Sequence, residues 1–275
     1  MEVLYGLHPI QEAVRSGVRR LDCVLLARER GDARLERLAQ ICRDAGVRVT
    51  LESRDQLTRM ARTDAHQGVL ALVHERAFLT LEDLLAPAPE TNIPARSNQQ
   101  TQSPHRFFLA LDGIEDPHNL GALLRTADGA GVDGVILPER RTAPVSATVA
   151  KTSAGASEHV RIARVTNLVR ALEQMKQANV WVLGLDERGS PDYTSFDFRT
   201  DCVLVLGREG EGLHNLVKKT CDHQLRIPMA GRVSSLNVSV AGAIVMYEAM
   251  RQRSRTVQPA PKPAAPAKPR KGLGS

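Results

Sequence analysis

Three short stretches of the chain carry side chains whose types and spacing could do chemistry. In DPHNLGALLRTADGAG, Asn119 precedes Arg125 by six positions. In LVLGREGEGL, glycines 207, 210 and 212 are interleaved with Glu209 and Glu211. In IPMAGRVSSLNVSVAGAIVMYEAM, Ser234, Ser235 and Asn237 open a run that holds no charge until Glu248. Glycines after an apolar strand let a backbone approach a ligand closely. Two acids in that loop disfavour a phosphate there and suit a positively charged ligand, or ribose hydroxyls and amines. The spacing is neither the dinucleotide pattern G-x-G-x-x-G nor a P-loop. Each feature also has a plainer reading: Asn119 as a helix cap, Arg125 as a surface arginine, the serines and Asn237 as caps. Capping and a site are compatible, because the first N–H groups of a helix are free. Six positions is not a same-face helical spacing, so Asn119 is expected at a helix start and Arg125 inside the helix.

Other chemistries lack their residues. His118, His159, His214 and His223 show no H-E-x-x-H or other ligand spacing and read as surface or loop residues. No G-x-S-x-G elbow is present. Cys23, Cys42, Cys202 and Cys221 lie far apart with no C-x-x-C, which reads as reduced thiols in a cytoplasmic protein and no metal site. Aromatic residues make up 3% of the chain, too few for extensive base stacking on exposed rings. No apolar run reaches membrane-spanning length, and the start, MEVLYGLHPIQEAV, carries acids and a proline rather than a signal peptide.

The elements that must position these stretches follow an α/β rhythm. FFLALD is a strand, a helix is expected over about 120–130, and VDGVIL is the next strand. The helical TNLVRALEQMKQA precedes the strands VWVLGLD and CVLVLG. Alternating strands and helices predict a mainly parallel sheet covered on both faces. Ligands of such sheets bind at the carboxyl ends of strands, which singles out the loops 112–119, 207–212 and 229–235.

Four segments divide the chain. Residues 1–85 alternate helix and strand: HPIQEAVRSG, CVLLA, DARLERLAQICRDAG with Asp32 as N-cap and Gly46 as stop, VRVTL and QGVLALV. This small α/β module holds thirteen arginines, thirteen acids and no lysine. Residues 86–105 carry four prolines and one sizeable aliphatic residue, Ile93, and read as a flexible linker. Residues 106–254 form the main domain. Residues 255–275, RTVQPAPKPAAPAKPRKGLGS, cannot bury a core and are expected to be a disordered basic tail. The tail's five positive charges account for most of the net +6, so the rest of the chain is close to neutral at +1. Such a tail adds at most a salt-sensitive attraction to phosphate backbones.

The three motifs together, in this order, resemble the signature motifs of the SpoU/TrmH branch of the SPOUT RNA methyltransferases, across essentially the whole main domain. The first domain, with YGLHPIQEAV and HQGVLALV, is similar to the ribosomal-protein-like (L30e-like) substrate-binding domain of the subgroup that methylates 23S ribosomal RNA. The resemblance implies an α/β catalytic domain with a deep trefoil knot, which no periodicity predicts. It implies transfer of a methyl group from S-adenosylmethionine to an RNA ribose 2′-hydroxyl, at a guanosine of 23S ribosomal RNA or of a ribosome assembly intermediate. It also implies a homodimer through the knot region, no metal and no membrane. The residues so matched are Arg125 as the catalytic arginine, Asn119 orienting it, Glu209 supporting the site, and Ser235 and Asn237 completing its hydrogen bonding. Backbone groups at Gly207, Ile227 and Leu236 would hold the adenosine. The alternatives are a tRNA ribose methylase, a resistance-type ribosomal RNA methylase, and a non-enzymatic RNA-binding assembly factor.

Overall fold

The computed structural model describes residues 1–28, 32–86 and 105–254. The expected tail, and the expected linker apart from its end residues, lie outside the described residues.

The first domain is built on a four-stranded sheet of β1 (Glu2–Tyr5), β2 (Leu21–Ala27), β3 (Val49–Glu52) and β4 (Val69–Val73), in the order β1-β4-β2-β3. β4 runs antiparallel to β1 and β2, and β3 runs parallel to β2. Helices α1 (Leu7–Ser16), α2 (Ala33–Asp44) and α3 (Arg54–Ala61) connect the strands. Gly17 ends α1 in the left-handed region at φ 62°, and the Asp32 carboxylate caps α2 by accepting from the Arg34 N–H. One apolar core, with Leu4, Ile10, Leu38, Leu57 and Leu70 at its centre, fills this module.

Residues expected at the end of this domain pack elsewhere. The N–H of Leu79 donates to the Ile162 carbonyl at 2.9 Å, and Leu79 accepts from the Arg164 N–H at 3.1 Å. Helix α4 (Leu81–Leu85) buries Leu81 and Leu84 against Phe108 and Ile136 of the second sheet. The span 1–85 therefore includes a strap that belongs, by packing, to the second domain.

That second sheet has six strands, all parallel: β5 (Phe107–Leu111), β6 (Gly134–Pro138), β7 (Ile162–Val165), β8 (Trp181–Leu185), β9 (Cys202–Leu206) and β10 (His223–Leu225). Their order is β10-β8-β9-β5-β6-β7. The expected parallel sheet is thus present, with two short strands, β7 and β10, that periodicity alone did not reveal. β5 and β9 are buried along their whole length, as continuous apolar strands of a doubly covered sheet should be. One core lies between the sheet and helices α5 (Pro117–Gly129) and α9 (Val238–Ser254), and the other lies beneath α4, α7 (Leu168–Gln177) and α8 (Asn215–Thr220). Helix α6 (Ala147–Thr152) follows β6 and packs against α5. Arg253, at the end of α9, donates to the carbonyls of Phe198, His105, Arg106 and Thr200, which pins the helix to the amino ends of β5 and β9.

The two domains touch through α1 and the segments that follow α1 and β4. Glu12 pairs with His159 at 2.8 Å, Arg19 with the buried Glu158 at 3.5 Å, and Arg76 donates to the Val160 carbonyl at 2.7 Å.

Candidate active site

From β5 the chain winds outward to β6 and β7, then crosses to β8 on the other side, returns inward to β9 beside β5, and leaves for β10 at the far edge. The order reverses between β5 and β9, and a crevice opens at the carboxyl ends of the strands at such a point. The loops at both lips carry the singled-out residues.

The β5 loop leads into α5. This helix begins three residues earlier than the pattern suggests, because Asp116 is its cap, accepting from the His118 N–H, and Pro117 occupies the first turn. Asn119 is therefore not a cap, and its amide is free for other work. Its Nδ2 donates to Glu209 Oε2 at 3.3 Å, and its Oδ1 accepts from Asn237 Nδ2 at 3.0 Å. Asn237 Nδ2 also lies 3.4 Å from Glu209 Oε2. Three residues from three separate motifs thus close a hydrogen-bonded triangle across the crevice.

Asn237 has a second duty. Its Oδ1 accepts from the Ser239 N–H at 2.9 Å and from Ser239 Oγ at 2.6 Å, which caps α9. The polar opening of this apolar helix is both a cap and part of the site.

The glycine loop is shaped by sterics. A Cβ on Gly207 would overlap the Gly212 carbonyl carbon and oxygen, so only glycine fits there. Arg208 and Gly212 exchange N–H···O bonds of 3.0 and 2.9 Å, and Gly210 and Gly212 adopt φ of 81° and 69°. This tight turn carries Glu209 at its tip. Ile227 is half-buried and packs on the core below the sheet's end, and Leu236 is also half-buried just before α9. The segment 223–226 is stitched to the β8 loop: the Tyr193 N–H donates to the Arg226 carbonyl at 2.9 Å, and the Arg226 N–H donates to that of Pro191 at 3.1 Å.

Arg125 is exposed and makes no hydrogen bond or ion pair among the described residues. It lies about 9 Å along α5 from Asn119. No hydrogen bond joins the two, and the Asn119 amide is committed to Glu209 and Asn237. Ser235 is exposed and its side chain makes no hydrogen bond among the described residues.

Two acids outside the three motifs, Asp112 and Asp186, stand at the same edge. Asp112, only 6% exposed, ends β5 and accepts from the His214 N–H at 2.8 Å and from His214 Nδ1 at 2.9 Å. The signal was present in FFLALD, an acid closing a fully apolar strand. Asp186, after β8, is buried enough to raise its carboxyl, but bonds from Lys218 and the Arg188 N–H outweigh that and hold it below its ordinary value. Among the described residues no cluster of His, Cys, Asp and Glu could hold a metal ion, and no helix is long and apolar enough to cross a membrane.

The SpoU rRNA Methylase family profile matches residues 106–247, and a profile for RNA 2′-O ribose methyltransferase substrate binding matches residues 3–79. The chain belongs to the SpoU rRNA methylase family. Two SpoU relatives are named 23S rRNA (guanosine-2′-O-)-methyltransferase RlmB. That of Escherichia coli K12 is 39% identical over 258 residues, 92% of this chain and 99% of the relative. That of Ralstonia nicotianae is 39% identical over 254 residues, 92% of this chain and 96% of the relative. Among solved structures, the SpoU methyltransferase AviRb from Streptomyces viridochromogenes in complex with AdoMet superposes with a TM-score of 0.72 at 26% identity, covering 91% of this chain and 90% of that one.

Proposed function

We propose that this protein transfers the methyl group of S-adenosylmethionine to the 2′-hydroxyl of one guanosine in 23S ribosomal RNA, in the cytoplasm. The observation that carries this reading is the Asn119–Glu209–Asn237 triangle, in which three motifs distant in sequence meet at the switch point of a SpoU sheet. The relatives named for this reaction align along both domains, and so support the ribosomal target over a tRNA.

The site residues fit the methyl donor. Gly207 is bare because the Gly212 backbone fills its Cβ position, and this leaves a backbone without a side chain at the carboxyl end of β9, where a nucleoside can approach. The carboxylate at the loop tip suits a cationic ligand better than a phosphate. When bound, S-adenosylmethionine supplies a methyl group already activated on a sulfonium, so the protein has to align and deprotonate rather than activate.

Gly207, Ile227 and Leu236 hold the adenosine by backbone groups. The triangle fixes Glu209 relative to α5 and to the start of α9, and so sets where a ribose can lie. Arg125, with no protein partner among the described residues, engages the phosphate of the target nucleotide. Its positive charge lowers the barrier to loss of the 2′-hydroxyl proton, which passes to solvent water. Ser235, exposed at the lip, completes the bonding to the reacting groups. Holding the nucleophile in line with the methyl group can take about 7–11 kcal/mol off the barrier.

Helix α9 is apolar on its outer side too, with Val240 and Tyr247 about half exposed, which supports a homodimer sealed along this helix. The stitching of 223–226 to the β8 loop supports the knotted threading of the family.

The test is transfer of labelled methyl to protein-free 23S ribosomal RNA, with total tRNA in parallel and the position mapped by resistance to alkaline cleavage. Label at one guanosine ribose is expected, and Arg125→Ala should remove it without loss of fold or donor binding. Label in tRNA alone would overturn the target. Absence of label in ribosomal RNA, tRNA and assembly intermediates would favour the non-enzymatic reading.

A further inference from the structure

Asp112, His214 and Arg141 form a chain of hydrogen bonds at the carboxyl edge of the sheet, outside the triangle. Asp112 ends β5 and is almost fully buried, yet both its oxygens are taken by one residue, His214. On the other side of the ring, His214 Nε2 lies 3.3 Å from Arg141 Nη1. A guanidinium can only donate, so Nε2 is the bare nitrogen and Nδ1 carries the hydrogen shared with Asp112. The buried carboxylate therefore selects the tautomer that leaves a lone pair facing outward. An arginine side chain at the surface ordinarily pairs with a carboxylate or with water; here its partner is a neutral ring, which orients the guanidinium without cancelling its charge.

The loop geometry argues for purpose. Arg141 stands in the β6 loop with φ of 57°, a left-handed conformation that a residue with a side chain adopts at a cost. That loop is tied to the β5 loop, since the Ala143 N–H donates to the Ile114 carbonyl at 2.8 Å. A Cβ on Gly113, next to Asp112, would overlap the Arg208 stem, and His214 Cε1 lies beside it at contact distance. Arg208 itself is spent on Glu115 and Glu211, at 3.5 and 3.2 Å. Of these two arginines at the crevice, only Arg141 keeps its charge unneutralised among the described residues.

We propose that Asp112 and His214 are positioning residues that hold Arg141 as a contact for an RNA phosphodiester beside the target nucleotide. This rests on RNA being the substrate. His214 has two separable jobs: its Nδ1 clamps the base of the Glu209 loop to β5, and its Nε2 aims Arg141. Asparagine places an amide where Nδ1 stands and nothing where Nε2 stands, so His214→Asn keeps the clamp and releases the arginine. His214→Leu loses both side-chain contacts and keeps only the backbone N–H on Asp112.

The test reads binding of a protein-free 23S ribosomal RNA transcript against salt, with S-adenosylmethionine affinity measured separately. Each phosphate contact contributes about 0.7 to 0.9 to the slope of log K on log salt. Arg141→Ala should lower the slope by about that amount and weaken RNA binding roughly tenfold. His214→Asn should do the same, and the double variant should be no worse than either, because both act through one contact. Affinity for S-adenosylmethionine should stay at the wild-type level in these three and fall only in His214→Leu. A wild-type slope in Arg141→Ala, or additive losses in the double variant, would overturn the relay. Because binding is the readout, the relay stands or falls whether or not methyl transfer is observed.

Discussion

Asn237 lets the two roles of one side chain be separated by substitution. Its Oδ1 caps α9 through the Ser239 N–H, and its Nδ2 bridges to Asn119 and Glu209. Serine caps a helix about as well as asparagine, but its short hydroxyl cannot reach across the crevice. Alanine does neither. Both variants lose the bridge, so both leave Asn119 Oδ1 without its donor and Glu209 with one donor fewer. Two such bonds are each worth about 1 kcal/mol net. If they are kept through the transition state, their loss slows kcat/KM by about thirtyfold. Only alanine also loses the cap, which costs about 1 kcal/mol. In a domain of this size that lowers Tm by roughly 2–4 °C relative to serine. The assays are thermal unfolding and methyl transfer to 23S ribosomal RNA for Asn237→Ser and Asn237→Ala side by side. The expected result is equal loss of rate in both, with a melting difference between them. An Asn237→Ser enzyme that turned over like wild type would reduce Asn237 to a cap and remove the triangle from the mechanism.

Three further outcomes follow from the packing. Gly207→Ala should cost about 1–3 kcal/mol, since its Cβ must displace the Gly212 backbone, and should weaken S-adenosylmethionine binding in calorimetry by tenfold or more. Arg253→Met should lower stability in urea by about 3 kcal/mol by stranding the carbonyls that its guanidinium serves, while leaving the KM for the methyl donor unchanged. Burial pushes the Cys202 and Cys221 thiols up to about 12, so at pH 8 a thiol reagent should label them far more slowly in the native protein than in denaturant. Because those values are raised on folding, the associated stability is intact below about pH 9 and declines as the pH rises from 9 towards 12.

Much of the second domain was legible because its strands are short, wholly apolar and bounded by glycine or acid. Phe107–Leu111 and Cys202–Leu206 need only continuous hydrophobicity to be recognised, and both are buried in full. Strands His223–Leu225 and Ile162–Val165 escaped because neither has an apolar run long enough to stand out; pairing with neighbours, not composition, makes them strands. The start of α5 was misplaced by three residues because Asn119 and Asp116 are equally good caps, and only the fold shows that Asp116 takes the role.

By itself the sequence determined which residue types sit in which loops, since a glycine loop, a polar helix mouth and an arginine in a helix are local facts. Which of them meet was decided by the tertiary structure, because hydrogen bonds form by distance and not by spacing. Asn119, Glu209 and Asn237 become neighbours only because parallel crossovers bring the carboxyl ends of β5 and β9 side by side and lay α9 against α5. The same packing took Asn119 from Arg125 and gave it to Glu209, and it turned His214 from a loop histidine into the partner of a buried carboxylate.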